Sequence, residues 1–408
     1  MHGELILKAG KERSLLRRHP WVYDTAVARV QGKPARGDTV AVMSAQGQWL
    51  AWAAFAPEST LRARCWSFDT AASVDAAWMH ARVADAVARR LPLAAHTDAV
   101  RLVFGEADQL PGFVVDRYAD QLVLQLQSSG AEAWREVLVD GLVQATGCAN
   151  VFERSDSATR KREGLAPAAG VLRGAEPAER IRVHEHGLAM WVDVRRGHKT
   201  GYYVDQRDNR RLLQQLTREA SVRLQRPVQA LNCFCYTGGF SLAAAAGGAS
   251  AVLSIDSSAE ALALAAENAG LNAQGSDSAG AVGVHTWQQS DVFEALRALR
   301  EAGRQFDLIV LDPPKFASTH HHVDRAARAY KDITLNALRI LAPGGDLLTF
   351  SCSGAISGEL FQKIVAGAVI DARVDCQMLQ RLAAGSDHPL LMTHPEGEYL
   401  KGLHLRRL

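Results

Sequence analysis

The 408-residue chain has few cysteines, no long apolar run and almost no net charge, and each shortage excludes something. Six cysteines, two of them in Cys233-Phe234-Cys235, are too few and too irregular for a disulfide framework or a zinc finger. Free thiols in a reducing compartment are expected, with no metal site. No apolar stretch approaches the ~18 residues of a membrane span. The start, Met1-His2-Gly3-Glu4, lacks the apolar core of a signal peptide. A cytoplasmic protein with no membrane partner is the expectation. A net charge of +2 says nothing about partners, but its distribution does. Residues 1–70 hold ten Lys/Arg against six Asp/Glu, and residues 150–211 thirteen against nine. Basic excess of this kind is either solvated surface or a set of phosphate contacts.

What is present is a soluble globular composition, 48% hydrophobic and 22% charged, on a chain too long for one ordinary core. Residues 1–70 read as short strands over 39–43, 49–55 and 61–68, with turns at Ala35-Arg36-Gly37-Asp38 and Gln46-Gly47-Gln48. Alternation in the last strand puts Arg62 and Arg64 on one face. Residues 71–190 read as a small α+β domain, with helices over 74–91 and 133–146 and a meander over 102–126. Its run Arg160-Lys161-Arg162 is a solvated patch or, secondarily, an RNA contact. The segment Gly197 to Arg211 is the hinge into a third domain, 191–408.

From Val228 the period changes. Strands over 228–233, 251–256, 282–287, 307–312 and 346–352 alternate with helices over 239–246, 258–269, 292–302 and 324–341. That alternation means a parallel sheet with helices on both faces. The segment Gly275 to Gly280 is a small loop, and a closing hairpin adds an antiparallel edge strand. Asp307 to Leu311 is almost wholly apolar, as in a strand buried on both faces. Asp312 then stands at its carboxyl end, where open α/β sheets bind ligands, stiffened by Pro313 and Pro314. Taken alone, Asp-Pro-Pro is equally a solvated turn. After the first strand, Gly238-Gly239 lets a ligand approach the backbone at a helix N-terminus. Asp256 ends the second strand, where an acid commonly holds ribose hydroxyls, and Asp291 follows the third, within reach of an adenine amino group. Cys352 closes the fifth strand, and on position alone it reads as a small buried hydrophobe. Cys233 and Cys235 read as packing residues. His320-His321-His322 reads as a solvated loop beside the site.

Asn232-x-Phe234-x-Tyr236-Thr237-Gly238-Gly239-Phe240, Asp256, Asn268, Asp291, Asp312-Pro313-Pro314-Lys315-Phe316 and Ser351-Cys352-Ser353 resemble the class I S-adenosylmethionine-dependent methyltransferases. Within these the chain is similar to the RlmI-type family, which methylates carbon 5 of a cytosine in large-subunit (23S) ribosomal RNA. Arg18-His19-Pro20-Trp21-Val22-Tyr23, Gly37-Asp38 and Pro57-Glu58-Ser59 resemble the PUA domain, an RNA-binding barrel. Trp49-Leu50-Ala51-Trp52-Ala53 departs from that family's usual glycine.

The resemblance implies an α/β protein: a Rossmann-like class I methyltransferase domain preceded by a small all-β PUA-like barrel and a small α+β domain. It implies S-adenosyl-L-methionine as cofactor, touched by Asn232, Phe234, Tyr236, Gly238, Asp256, Asp291 and Asp312, with Gln206 contributed by a linker that covers it. It implies ribosomal RNA as partner, touched by Pro313, Lys315 and Phe316 and by the basic face of Arg62 and Arg64, with self-association as a homodimer left open. Carbon 5 of cytosine is a poor nucleophile until a thiolate adds to carbon 6. Cys352 is the implied thiolate, and Asp312 the group that holds the ring nitrogen as it gains a proton. Many RNA cytosine-5 methyltransferases carry a second cysteine after the fourth-strand proline, where this chain has Lys315. Two alternatives stand beside this reading: transfer to an amine or guanine nitrogen, which needs no thiol, and an RNA-binding protein with a vestigial site.

Overall fold

Local signals set many of the element boundaries. In the computed structural model, which describes residues 3–273, 284–317 and 322–408, Asp75 caps the helix Ala76–Arg90 by accepting from the Trp78 N–H at 2.9 Å. Gly147, at φ 66°, ends the helix Arg135–Thr146. The expected loop at Gly275 to Gly280, and His320 and His321, lie outside the described residues. The chain forms two compact units. One takes residues through Val183 with Val192–Asp205 and Ser386–Gly397, and the other His184–Trp191, Gln206–Gly385 and Glu398–Leu408.

The first unit holds two sheets. Six strands run in the order Trp21–Tyr23, Leu61–Ser67, Trp49–Phe55, Thr39–Met43, Gly3–Leu7, Val27–Gly32, enclosing Leu5, Val40, Val42, Phe55 and Ala63. Gly3–Leu7 and Thr39–Met43 pair in parallel. The second sheet runs Ala168–Arg173, Asn150–Ser155, Gln121–Leu126, Phe113–Tyr118, Ala99–Phe104. Both helices named above share its core through Met79, Val83, Leu138 and Leu142.

Two expectations about charge fail here. Arg64 does not join Arg62 on a phosphate-facing surface. It is 8% exposed, and its guanidinium donates to Glu106 at 3.0 Å and Glu163 at 3.1 Å. Glu163, itself buried, also accepts from the Ser59 hydroxyl at 3.0 Å and the Ser129 N–H at 3.1 Å. Strand alternation fixes which side a side chain leaves from, not whether that side meets solvent or a neighbouring segment. Half-buried Arg62 turns back to donate to the Pro57 carbonyl. Arg160 is likewise buried, donating to the Leu126 carbonyl at 2.6 Å and to Glu132 at 2.7 Å, so only Lys161 and Arg162 of that run are solvated. The segment Thr200 to Tyr202 is pinned to the same unit. Thr200 donates to buried Asp116, which also holds Arg101 through two 2.7 Å bonds, and the Tyr202 N–H donates to the Tyr118 hydroxyl at 3.2 Å.

The second unit is built on seven strands: β1 Gln229–Cys233, β2 Ala251–Asp256, β3 Val284–Gln289, β4 Phe306–Leu311, β5 Leu341–Ser351, β6 Cys376–Ala383 and β7 Lys401–Arg407. Their spatial order is β3-β2-β1-β4-β5-β7-β6. β1 to β5 are parallel, while β7 runs antiparallel to both neighbours. The closing hairpin therefore contributes two strands, and the last one in sequence inserts between β5 and β6 rather than forming the edge. The helices are α1 Arg207–Leu224, α2 Gly239–Ala246, α3 Ala259–Ala273, α4 Val292–Glu301, α5 Val323–Ile340 and α6 Gly358–Ala372. β4 is buried throughout, with Ile309 and Leu311 in one helix-covered layer and Leu308 and Val310 in the other. That two-sided burial is why Leu308 to Leu311 read as an uninterrupted apolar run, while buried Asp307 is held by Arg226. Gly402 stands opposite Phe350, and a Cβ there would come within 2.5 Å of that ring.

At the opposite edge of the sheet, fully buried Asp346 accepts from His404 at 2.9 Å, Arg406 at 2.9 Å and Arg223 at 3.0 Å. Burial alone would raise this carboxyl, but the bonds from His404 and Arg406 outweigh it and hold it below the usual carboxylate range. A depressed carboxyl contributes stability above its unfolded pKa and loses it as the pH falls through the folded one. Asp346→Asn should therefore cost about 3–5 kcal/mol at pH 7, the loss typical of a broken buried pair. The gap from wild type should narrow only in stronger acid, as the pH falls past the ordinary carboxylate value of about 3.9 and through the lower folded pKa, where Asp346 loses its charge. Thermal unfolding at neutral pH and in that acid range checks this; a gap that persists in acid would assign the cost to packing instead.

Candidate active site

Adjacent parallel strands bring distant parts of the chain to one edge. Cys233 lies opposite Ile255 on one side and Leu311 on the other, and Leu311 lies opposite Thr349. The residues just beyond these positions share the carboxyl edge: Phe234 to Gly238 after β1, Asp256 closing β2, Asp312 after β4 and Cys352 after β5.

The loop after β1 is held in an unusual conformation. Phe234, Tyr236 and Gly238 have φ of 60°, 48° and 84°. A Phe and a Tyr in the left-handed region cost on the order of 1–2 kcal/mol each. The Cys235 N–H donates to the Ile255 carbonyl at 3.1 Å and the Tyr236 N–H to Asp256 Oδ2 at 2.9 Å, which offset that strain. Asp256 Oδ1 accepts from the Ser258 N–H at 2.9 Å. Half-exposed Asp256 thus braces the loop and the turn into α3, with lone pairs still available to a ligand. Gly238 has no room for a side chain: a Cβ would stand 3.0 Å from the Trp287 ring and 3.1 Å from Ala265. Asn232 is buried, its amide donating to Ser241 Oγ at 2.8 Å, and its Oδ1 has no partner among the described residues. Asp291 is exposed and caps α4, accepting from the N–H groups of Phe293 at 2.8 Å and Glu294 at 3.1 Å. Asn268 is buried under the loop and donates to the Thr237 carbonyl at 3.1 Å.

Asp312 and Cys352, 40 residues apart in sequence, meet around Pro313. The Asp312 N–H donates to the Cys233 carbonyl at 3.5 Å, and the Cys352 thiol lies 3.9 Å from the Pro313 carbonyl. Both side chains are half-exposed, unlike Cys233 and Cys235, whose thiols burial pushes up, away from reactivity. Pro313 is buried, Lys315 exposed, and Phe316 half-buried in a group of rings with Tyr330 at 4.8 Å, Phe293 at 5.9 Å and Phe234 at 6.4 Å. Gln206 is buried at the start of α1, where its Oε1 accepts from Asn209 at 2.6 Å. Asn209 in turn donates to the Ala383 carbonyl at the end of β6. The structure therefore fastens Gln206 beside β6, with its Nε2 donor unpartnered among the described residues.

Sequence reasoning missed two supports of the thiol. Lys401 is buried, yet its ammonium donates to the Ser353 and Ile356 carbonyls at 2.9 Å each, fixing the turn that follows Cys352. Burial lowers its pKa, and the charges of Glu398 and Cys352 oppose that shift. Tyr330, fully buried, bonds the Ser353 hydroxyl at 3.0 Å, and the Ala317 N–H donates to the same oxygen. Neither carried a sequence signal, because Lys401 lies in the final strand and Tyr330 in the middle of a helix.

The donor set fits an adenosine-bearing sulfonium. It offers carboxylates at the ends of β2 and after β3, N–H groups in the first turn of α2, a glycine that admits no Cβ, and the buried Asn232 Oδ1, without a partner among the described residues. Fold and site together define a class: residues 127–387 match the S-adenosylmethionine-dependent methyltransferase family, and residues 5–68 a PUA-like domain. A ribosomal RNA large subunit methyltransferase I from Shewanella denitrificans is 47% identical over 404 residues, 98% of each chain. One from Escherichia coli O139:H28 is 44% identical over 408 residues, all of both. The chain belongs to the ribosomal RNA large subunit methyltransferase I family, and its cofactor is S-adenosylmethionine. In fold it is similar to a methyltransferase solved with S-adenosylhomocysteine bound, at a TM-score of 0.82 and 22% identity over 99% of both chains. Among the described residues, no helix is long and apolar enough to cross a membrane.

Proposed function

We propose that this enzyme forms 5-methylcytosine in large-subunit ribosomal RNA through a covalent adduct on Cys352. The observation that carries the reading is the half-exposed Cys352 thiol, 3.9 Å from the carbonyl of Pro313, the residue after Asp312. Relatives named for the large-subunit RNA support the substrate. S-adenosylmethionine supplies an electrophilic methyl group when bound. The Cys352 thiolate adds to carbon 6 of the flipped cytosine, forming a C–S bond and leaving electron density on carbon 5. Asp312 holds the ring nitrogen as it gains a proton. Once carbon 5 carries the methyl group and gives its proton to solvent, the C–S bond breaks, its electron pair returns to Cys352, and the ring nitrogen gives its proton back to Asp312. Residues 191–408 do this chemistry, while 1–70 add RNA affinity. Tritiated methyl transfer into ribosomal RNA, followed by nucleoside identification, tests the reading; label in a nitrogen-methylated base would overturn it.

Asp256 is proposed to hold the cofactor ribose. Asp256→Ala is expected to weaken S-adenosylhomocysteine binding by about 1.5–3 kcal/mol, the range of a charge-assisted hydrogen bond. Because Asp256 also holds the Tyr236 N–H, part of that loss is a loosened loop. Asp256→Asn keeps an acceptor for that N–H and should recover part of the loss in calorimetry. Unchanged affinity in Asp256→Ala would remove Asp256 from the cofactor site.

A further inference from the structure

Immediately beyond the Asp312-Pro313-Pro314 turn lies a groove of about 460 Å³, lined by Phe293, Lys315, Phe316, Arg325, Ala326 and Ala329, with His322 at its rim. Its size falls within the ~300–1,000 Å³ of small-molecule sites. None of the lining residues is acidic. Lys315, Arg325 and, one turn further along α5, Arg328 are exposed and have no carboxylate partner among the described residues. Three cations on the neighbouring helix surface are paired instead. Arg297 pairs with Asp332 at 2.7 Å, Lys331 with Asp371 at 2.8 Å and Lys363 with Glu359 at 2.7 Å. Exposed cations left unpaired on a surface where their neighbours are paired mark a place for an anion from outside. The groove also offers aromatic surface in Phe293 and Phe316, both half-buried and 5.9 Å apart. Cations beside aromatic rings are the combination that holds single-stranded nucleic acid. The groove lies next to the site along the chain, since Lys315 and Phe316 follow Pro314 directly.

We propose that this groove binds the nucleotide next to the target base in the RNA strand, with Lys315 and Arg325 on its phosphate and Phe316 and Phe293 against its base. The inference rests on the RNA methyltransferase reading above. It supplies something a flipped base needs, a grip on the adjoining backbone that holds the strand while the target base leaves the stack.

The test uses the full-length protein and a large-subunit ribosomal RNA transcript. For wild type, Arg325→Gln, Lys315→Gln and the double variant, RNA KM, kcat and the salt dependence of RNA binding are measured. Arg325→Gln should raise the RNA KM about tenfold, with the loss falling on KM more than kcat. Each lost phosphate contact should lower the slope of log K against log salt by about 0.7–0.9. Arg297→Gln removes a paired arginine and should leave the slope as in wild type. Affinity for S-adenosylhomocysteine, measured by calorimetry, should stay the same in all four variants. Wild-type slope and KM in the double variant, with wild-type enzyme active on the RNA, would overturn the groove alone. A wild-type enzyme that methylates no ribosomal RNA would overturn the function reading, and this one with it.

Discussion

Cys352→Ala is expected to abolish methyl transfer, with a loss of at least ~10³-fold, the scale seen when a nucleophile is removed. Fold and cofactor affinity should remain near wild type. The side chain is half-exposed beyond the end of β5, at the margin of the core, so losing one sulfur there costs no more than about 1 kcal/mol. RNA carrying 5-fluorocytidine should trap a covalent adduct with the wild-type enzyme, because fluorine cannot leave as a cation once the methyl group is in place. Cys352→Ala should give no adduct. Cys376→Ala should still give one, because that thiol lies at the start of β6, on the other edge of the sheet. A Cys352→Ala enzyme that keeps a sizeable fraction of wild-type turnover would end the cytosine-5 assignment. Transfer to a nitrogen, which needs no thiol, would take its place.

Asp312→Asn should lower kcat by about 10²- to 10⁴-fold, the usual contribution of a positioned acid or base. The backbone at this position is stiff. Two prolines follow, and the Asp312 N–H is tied to the Cys233 carbonyl, so the amide variant should keep its place. An amide can accept a hydrogen bond but carries no charge to favour a protonated ring nitrogen. The loss should therefore appear in single-turnover rates at saturating cofactor and RNA, while affinity for S-adenosylhomocysteine changes by less than about threefold. Asp256→Ala should show the reverse pattern, a loss in affinity that saturating cofactor restores. If Asp312→Asn loses cofactor affinity and keeps its rate, Asp312 serves the cofactor rather than the base.

Local pattern along the chain specifies the architecture of the second unit and the positions from which chemistry is possible. A strand buried on both faces is apolar along most of its length, so Leu308 to Leu311 are readable without their neighbours. The turns that end such strands fix their residues locally, which made Gly238, Asp256 and Asp312 legible as strand-end residues. What those residues face is set by long-range packing. Arg64 reads as a surface cation because alternation gives a side and not a neighbour; Glu106 and Glu163, 42 and 99 residues away, bury it. The insertion of β7 between β5 and β6 placed Lys401 opposite Ser351, and so put a buried ammonium against the turn that carries Cys352. Pairings of this kind join segments tens of residues apart through long-range packing, and no local pattern encodes the partner.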